Sequence, residues 1–465
     1  MKTLTPKGRR SKNRELAAEL AVGSNIWETW NRISYQVFDA IVHDDARQAH
    51  DNASFQANNT WLCVPQLISN LACLTSVAAV SNGPGEALRR ELMNESAEAG
   101  STASNMPRTL MNLIGEELRQ WENALHSSSK PGLFSLARRI LVHPKFTKSY
   151  AYNTFAALNS LGVEMKILEG PSEMVQWIQK SLKLTTLLTC PFELWRGGDP
   201  HMKKETIKET MTRDIILAKS NQRCPIFAWA SHYQITFKSG IFESESVFTR
   251  SGVADAKGEE MYVRFHSDRP KMRYCSCGRT GILEVPTNAP NVFLYFVTDV
   301  ERSTSGPQLV DMIREVQKTR PETHTAYIPI WWPHNSVSNI AKGIKNSLDA
   351  EPIFSHGGFG DFAMEDAEAS AEFSRKFTSS IQHFDTITVF HTPDTTSIQR
   401  MVLKSPPFNV AHIKCPYTVI IYDDKKKMPV YFGRIVRPKA VDTKTHSERE
   451  KDEDKPRPNR WCRLS

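Results

Sequence analysis

The first part of the chain carries apolar residues at the three- and four-residue spacing of amphipathic helices. This spacing recurs from Ile26 to Ile41, and Ser24 suits the N-cap position in front of it. Pro65 opens a second segment that is apolar on nearly every side, which predicts a buried helix. Further helices are predicted in GEALRRELM, TLMNLIGEELRQWENALH, SYAYNTFAALNSLG and SEMVQWIQKSLKL.

The second part of the chain shows the alternating pattern of β-strands. After one early strand in LFSLARRILVHP, strands are predicted in DIILAK, CPIFAWASHYQITF, EMYVRFH, KMRYCSC, GILEVP, NVFLYFVTDV, SSIQHFDTITVFHT, YTVIIYD and PVYFGRIV. Short helices are predicted in GPQLVDMIREVQK and NSVSNIAKGIKNSL. Helices crowd the first half and antiparallel strands the second, and this order predicts an α+β domain.

Both ends of the chain are polar and charged. Residues 1–23 contain the basic run KGRRSKNR, and residues 439–465 are dense in charge and contain proline. Such segments bury too little apolar surface to offset the entropy of folding. We therefore predict a basic disordered tail over 1–23, a single domain over 24–438 and a charged disordered tail over 439–465.

The composition is that of an ordinary globular protein, with 40% hydrophobic and 24% charged residues among 465. The 59 basic and 51 acidic residues leave a net charge of +8, so most charge is balanced. The basic ends would attract phosphates without sequence preference, but we do not expect nucleic acid as a partner. The longest uncharged apolar runs fall short of the ~18 residues of a membrane span, so none is predicted.

No catalytic or metal-binding pattern is present in the sequence. The 14 histidines show no HExxH spacing, and no G-x-S-x-G elbow occurs, so we predict that the protein is not an enzyme. Cys275 and Cys277 would point to the same face of a strand. A metal site there would need two more ligands, so we predict neither a metal nor a cofactor.

The segment from Pro406 to Pro438 carries the most specific motif of the chain. It contains a Phe-Asn turn, an apolar strand, the charged hairpin DDKKK and a second strand that ends in F-G-R; the matching residues are Phe408, Asn409, Pro416, Phe432, Gly433, Arg434 and Pro438. This order resembles the C-terminal signature of the serpins. Two pairing apolar strands closed by a tight charged turn also suit a core sheet on physical grounds.

The resemblance to serpins covers about residues 26–438. Pro65 and the helix after it resemble the buried second helix of the family, although Val64 replaces the usual serine. LARRILVHPKF and IKNSLDAEPIFSHGGFGDFAM also resemble segments of the family. The resemblance implies the serpin fold: a large central antiparallel β-sheet, smaller additional sheets, one of which holds YTVIIYD and PVYFGRIV, and a cluster of helices.

The family inhibits serine proteases with a spring mechanism. A protease cuts an exposed reactive loop, and the loop then inserts into the main sheet as an extra strand and drags the protease with it. Fast insertion needs a hinge with a Glu, a Gly, a Thr and several Ala. In this chain the corresponding residues are Thr386, Thr388, Val389, Phe390, His391 and Pro393.

Each of these hinge residues opposes insertion. β-Branched residues resist the backbone rotations that Gly permits, and Phe390 and His391 need space in a sheet built for Ala. Pro393 removes a hydrogen bond of the strand ladder. The Asn and His with which the family opens its sheet align with Pro225 and Thr378, and its Trp aligns with Tyr233.

We therefore predict a divergent serpin that does not inhibit proteases and instead binds a partner. The alternative is an inhibitor of a trypsin-like protease that uses Arg400, with Met401 after the scissile bond, or Lys404. The predicted partner is a protein, and a serine protease is one candidate. A small hydrophobic ligand stays open as an alternative.

The cellular location stays open. The resemblance implies the extracellular space, where Asn52, Asn58 and Asn94 would be glycosylation acceptors. The first residues contain no apolar core of a secretory signal, which would fit a cytoplasmic protein instead.

Overall fold

The structure is a computed structural model that places the elements of the chain in four sheets and a set of helices. It describes residues 26–44, 59–77, 84–93, 106–127, 134–142, 158–167, 171–182, 193–194, 205–206, 226–237, 241–249, 259–267, 271–277, 280–298, 306–329, 334–348, 380–390, 410–413 and 416–436. Helices dominate the described residues of the first half and strands those of the second, so the predicted α+β class is confirmed.

Except for the helix at Ala341–Ser347, the described helices lie close to the predicted bounds. They are α1 (26–44), α2 (Val64–Val77), α3 (Pro84–Met93), α4 (Met106–Ser127), α5 (Pro171–Ser181), α6 (Gly306–Lys318) and α7 (Ala341–Ser347). Proline opens α3 and α5, at a position where its missing N–H has no helical partner in any case. Helix α2 is buried from Val64 to Thr75, as its apolar sequence predicts.

The strands are numbered in chain order. They are β1 (Thr60–Cys63), β2 (Phe134–Val142), β3 (Glu164–Ile167), β4 (Glu193–Leu194), β5 (Glu205–Thr206), β6 (Ile226–Thr236), β7 (Ile241–Thr249), β8 (Glu259–Ser267), β9 (Arg273–Cys277), β10 (Thr280–Pro286), β11 (Val292–Thr298), β12 (Thr325–Pro329), β13 (His334–Asn339), β14 (Ser380–Phe390), β15 (Val410–His412), β16 (Tyr417–Asp423) and β17 (Met428–Ile435).

One sheet has six antiparallel strands in the order β1-β17-β16-β11-β10-β9. It contains the hairpin β16–β17, which the sequence predicts from its two apolar runs. We expected this hairpin in a sheet smaller than the central one. Among the described residues its sheet has one strand more than the central sheet, but its strands are shorter.

The central sheet has five strands in the order β13-β14-β6-β2-β3. Strands β13 and β14 are antiparallel, as are β6 and β2, whereas β14 and β6 are parallel and so are β2 and β3. Strands β6 and β14 have 11 residues each. A four-stranded sheet, β15-β12-β8-β7, and the short pair β4-β5 complete the described strands.

The sequence pattern misassigned or missed several strands. Residues 335–339 were predicted as part of a helix, but they form β13, and the helix α7 begins only at Ala341. Strand β13 pairs with β14 along its whole length. This long-range pairing outweighs the local helical pattern, as is common for strands. Strands β3, β7 and β12 were not predicted, because β3 and β12 are short and β7 carries polar residues between its two apolar ends.

Both large sheets share one hydrophobic core. A continuous cluster of buried residues joins α1, α2 and α4 to strands of the six-stranded and the central sheet. Trp30, Trp61, Trp121 and Trp229 are fully buried in it. Helix α2 contacts β17 on one side and β6 on the other. Helix α2 packs against both the central and the six-stranded sheet, so it fixes the position of the central sheet.

Candidate functional site

The boundary between β6 and β14 is the place where the family mechanism would act. The two strands pair in parallel over 11 positions, from Ser380 opposite Ile226 to Phe390 opposite Thr236. An extra strand that entered between them would run antiparallel to both. It would replace one parallel ladder by two antiparallel ladders, which are slightly more stable per residue. In the structure β6 and β14 pair directly with each other, so the described strands form a closed sheet at this boundary.

Four of the predicted hinge residues lie in the last part of β14. Thr386 stands opposite His232, and Thr388, Val389 and Phe390 stand opposite the last three residues of β6. The hinge positions therefore begin inside the ladder, not in a free loop. Their role as a hinge stays a prediction, and His391 and Pro393 lie outside the described residues.

Polar side chains of α2 hold β6 through buried hydrogen bonds, and the sequence pattern did not single out these residues. The amide of Gln66 donates to the backbone oxygen of Ala230 at 2.6 Å, and the indole N–H of Trp229 donates to Ser69 Oγ at 3.4 Å. Gln66, Ser69 and Asn70 are all buried. Three polar residues within one apolar helix are the signal that could have revealed them, because buried polar groups need partners.

Two adjacent arginines tie β2 to elements on opposite faces of the central sheet. Successive strand residues point to opposite faces. Arg138 forms an ion pair with Glu122 of α4 and also donates to the backbone oxygen of Leu161. Arg139 lies over the ring of Trp177 in α5, 4.5 Å from its centroid, and pairs with Glu164 of β3 at 2.8 Å. These contacts hold α5 on the sheet that an inserted strand would have to widen.

Most other predicted site residues lie outside the described residues. These are Pro225, Thr378, Arg400, Met401, Lys404, Asn52, Asn58 and Asn94. Tyr233, which replaces the expected Trp, is buried in β6 and packs edge-on against Phe134 and parallel to Tyr431. Cys275 is a free, partly exposed thiol in β9. Within the described ranges, no group of three metal-ligating side chains occurs and no helix is long and apolar enough to cross a membrane.

The charged hairpin of the C-terminal motif is anchored and does not project freely. One Asp423 oxygen accepts the backbone N–H groups of Lys425 and Lys426, and the other accepts the indole N–H of Trp121 at 2.9 Å. Burial raises the pKa of Asp423, and these hydrogen bonds offset part of that rise. Lys426 lies 4.1 Å from the ring centroid of Trp27 and 3.5 Å from Glu117. The hairpin is therefore locked to α1 and α4.

Replacing Trp121 by Phe is expected to lower the free energy of unfolding more than replacing Trp30 by Phe, by about 1–2 kcal/mol. Both indoles are fully buried, so the loss of ring volume is matched. Trp121 donates to Asp423, whereas Trp30 Nε1 has no hydrogen-bond partner among the described residues. Urea unfolding followed by circular dichroism measures the difference. Equal losses would mean that the hydrogen bond to Asp423 does not stabilise the fold.

Comparison with solved structures identifies the fold. No protein-family model and no curated protein sequence matches the chain. The crystal structure of native protease nexin-1 with heparin is 14% identical, with a TM-score of 0.60, and the match covers 89% of this chain and 100% of that one. A serpin from the trematode Schistosoma haematobium is 11% identical, with a TM-score of 0.58, and the match covers 88% and 100%. The chain has the serpin fold, as its C-terminal motif predicted.

Proposed function

We propose that this serpin-fold protein does not inhibit proteases and acts by binding a partner. The observation that carries the proposal is the nature of the hinge positions. Thr386, Thr388, Val389 and Phe390 are β-branched or aromatic residues, and they belong to a strand that is already paired. Inhibition depends on a race between loop insertion and hydrolysis of the bond to the protease, and these residues slow insertion.

The backbone at the hinge must rotate while it leaves one strand conformation and enters another. Gly populates the required backbone angles freely, whereas Thr and Val restrict them. A Phe side chain also needs more volume than the Ala for which the family's sheet is built. Each replacement therefore raises the barrier to insertion, and several in sequence raise it together.

The anchoring of the central sheet supports the same proposal. Widening the boundary between β6 and β14 would displace β6 relative to α2, where Gln66 and Ser69 hold it. It would also disturb α5, which Arg139 and Trp177 hold on the sheet. Buried hydrogen bonds that are broken without replacement cost about 1–3 kcal/mol each. These contacts favour the closed sheet over an inserted one.

Incubation with trypsin-like and chymotrypsin-like proteases is expected to give cleavage but no complex that resists denaturing electrophoresis. Cleavage after Arg400 or Lys404 would release an intact protease, because hydrolysis is faster than insertion. The cleaved protein should also unfold at the same temperature as the intact one, since no strand has been added to the sheet. Denaturing gels and thermal unfolding of cut and uncut protein measure both outcomes.

A restored hinge is the matched control for the protease assay. The variant carries Thr386→Glu, Thr388→Gly, Val389→Thr, Phe390→Ala, His391→Ala and Pro393→Ala. Cleavage of this variant should raise its unfolding temperature, whereas cleavage of the wild type should not. A denaturant-resistant complex with the wild-type chain would overturn the proposal and favour the alternative, an inhibitor that uses Arg400.

A further inference from the structure

A short linker, residues 319–324, connects α6 to β12 and so joins two sheets of the molecule. Helix α6 packs on β9 and β10 of the six-stranded sheet, whereas β12 lies inside the four-stranded sheet. Two backbone hydrogen bonds tie the linker to the residues in front of β9: Glu322 donates to Met272 at 2.8 Å and accepts from Lys271 at 3.3 Å. Among the described residues this bridge is isolated from any longer ladder, so few backbone bonds hold the linker.

The last residue of the linker is a buried histidine. His324 is only 6% exposed, and its ring lies beside that of Tyr274 in β9, with 6.0 Å between the ring centroids. Its Nε2 atom is 3.9 Å from a carboxylate oxygen of Glu322, whose side chain is 57% exposed. A buried charge needs a close partner that is itself shielded from water, and an exposed carboxylate is screened. The site therefore suits a neutral imidazole better than an imidazolium.

Glu322 is the acidic group that acts on this imidazole within the described part of the chain. Burial lowers the pKa of His324, and the negative charge of Glu322 offsets part of that fall. Arg273, which pairs with Glu284, belongs to the face of β9 opposite Tyr274. The other charged or titratable residues of the adjacent elements are Lys271, Lys318 and Arg320, and, at positions that pair with β12 but with side chains outside the described residues, Arg264, His266 and His412.

We propose that the linker is an acid-sensitive tether between the six-stranded and the four-stranded sheet. It is closed at neutral pH, when His324 is neutral, and it opens in mildly acidic solution, where opening lets the imidazolium reach water. Strand β12 pairs in parallel with β15, the first described strand after the predicted reactive loop. Opening of the tether therefore loosens the sheet to which one end of that loop is joined. The tether would operate whether or not the protein inhibits proteases.

The lowered pKa of His324 sets the direction of the effect. The open linker takes up the proton more readily than the closed one, because burial holds the pKa of the closed state below the ordinary value of 6.5. The stability that the neutral ring contributes is complete above about pH 6.5 and is lost as the pH falls through that value and the folded pKa. Burial raises the pKa of Glu284 and so acts in the opposite direction. A local measurement is needed to separate the two.

Hydrogen exchange of the full chain, followed by mass spectrometry of peptides, tests the tether at pH 7.5 and pH 5.0. After correction for the intrinsic pH dependence of amide exchange, peptides that cover residues 319–329 are expected to lose protection at least about 3-fold at the lower pH. Peptides from α2, which is buried far from the linker in the sequence, should keep their protection.

Three variants assign the acid response to His324. His324→Phe keeps a ring beside Tyr274 but cannot take up a proton, so it should abolish the loss of protection in acid. Glu322→Gln keeps the backbone bridge and removes the charge that favours the imidazolium, so it should enlarge the loss; its exposed side chain makes this variant easy to accommodate. His43→Gln removes an exposed histidine near the end of α1, and this control should behave as the wild type.

Several results would overturn the proposal. An acid loss of the same size in His324→Phe would remove His324 from the response, and a loss that disappears in His266→Gln would assign it to β8. An equal loss of protection in α2 would mean general unfolding in acid. If His324→Phe does not fold, Glu322→Gln decides, because an unchanged or smaller acid loss in that variant contradicts the tether.

Discussion

Replacing Arg273 by Leu is expected to lower the free energy of unfolding by about 3–5 kcal/mol near neutral pH. Arg273 pairs with Glu284, which faces it across the ladder of β9 and β10 and is only 1% exposed. Without the guanidinium, Glu284 would be a buried carboxylate that lacks a counter-charge. Urea unfolding of the wild type and the variant measures the loss.

The surroundings of Glu284 explain why the loss should be large. Tyr295 donates its hydroxyl to Glu284 at 3.0 Å, and Gln317 of α6 donates both to Tyr295, at 3.0 Å, and to Asp424, at 2.7 Å. These bonds connect three strands of the six-stranded sheet and α6. A charged group at the centre of such a network cannot move to solvent without breaking it.

The pKa of Glu284 sets the direction in which the stability of the fold changes with pH. Burial raises the pKa of Glu284 above its ordinary value of 4.5, and the charge of Arg273 and the hydrogen bonds offset part of that rise. The folded state therefore keeps this proton to a higher pH than the unfolded state. The stability that this proton contributes is complete below about pH 4.5 and is lost as the pH rises through the folded pKa.

Two controls for the Arg273→Leu prediction follow from this direction of the pH dependence. The loss caused by Arg273→Leu should shrink in acid, because Glu284 is then protonated and needs no counter-charge. Glu284→Gln keeps a hydrogen-bonding side chain without the charge, so Arg273→Leu should cost less in that background than in the wild type. A loss that is equal at all pH values and in both backgrounds would show that Arg273 stabilises by packing alone.

Replacing Gly433 by Ala is expected to lower the free energy of unfolding by roughly 3 kcal/mol, at the upper end of the range for overpacked cores. A Cβ atom at this position would lie 2.6 to 2.7 Å from three ring atoms of Trp61. Trp61 is fully buried and stands opposite Gly433 in the ladder of β1 and β17. Because the indole of Trp61 is fully buried, it cannot move aside, and the backbone of β17 must shift. Thermal and urea unfolding measure the effect.

A second substitution separates the clash from a loss of backbone freedom. Trp61→Leu makes space above Gly433, at its own cost of a few kcal/mol for the cavity. The double variant should be more stable than the sum of the two single losses, because the added methyl group then fills part of that space. Strictly additive losses would contradict the clash with Trp61.

The contacts of the C-terminal motif in the structure explain why these residue types occur there. The sequence presents Phe432, Gly433 and Arg434 only as a pattern that resembles the serpins. In the structure, Phe432 stacks on Phe38 with 4.7 Å between ring centroids, and Arg434 donates to Thr418 at 3.2 Å. Gly433 leaves the space that Trp61 occupies. Phe432 and Gly433 thus meet partners far away in the chain, which no local pattern reveals, whereas Arg434 meets its neighbour across the β16–β17 ladder.

The candidate site also combines features that the sequence predicts with features that only the folded structure shows. The sequence alone predicts which residues lie at the hinge, through its resemblance to the serpins, and their β-branching acts on the local backbone. Their place opposite β6 depends on a parallel pairing between residues about 150 positions apart, which loop-closure and packing decide together. The polar contacts of Gln66 and Arg139 were equally hidden, because a side chain's partner depends on which elements meet.

By itself the sequence determined the α+β class, most helix bounds, the buried nature of α2 and the resemblance that led to the serpin fold. These follow from periodicity and from side-chain type, which act over a few residues. Only the tertiary structure decided that residues 334–339 form the edge strand β13, that Lys426 of the hairpin is anchored and that a cavity opens beside α1 and α6. Strand pairing, ion pairs and cavities arise between segments that are distant in the chain, so they depend on how the whole fold packs.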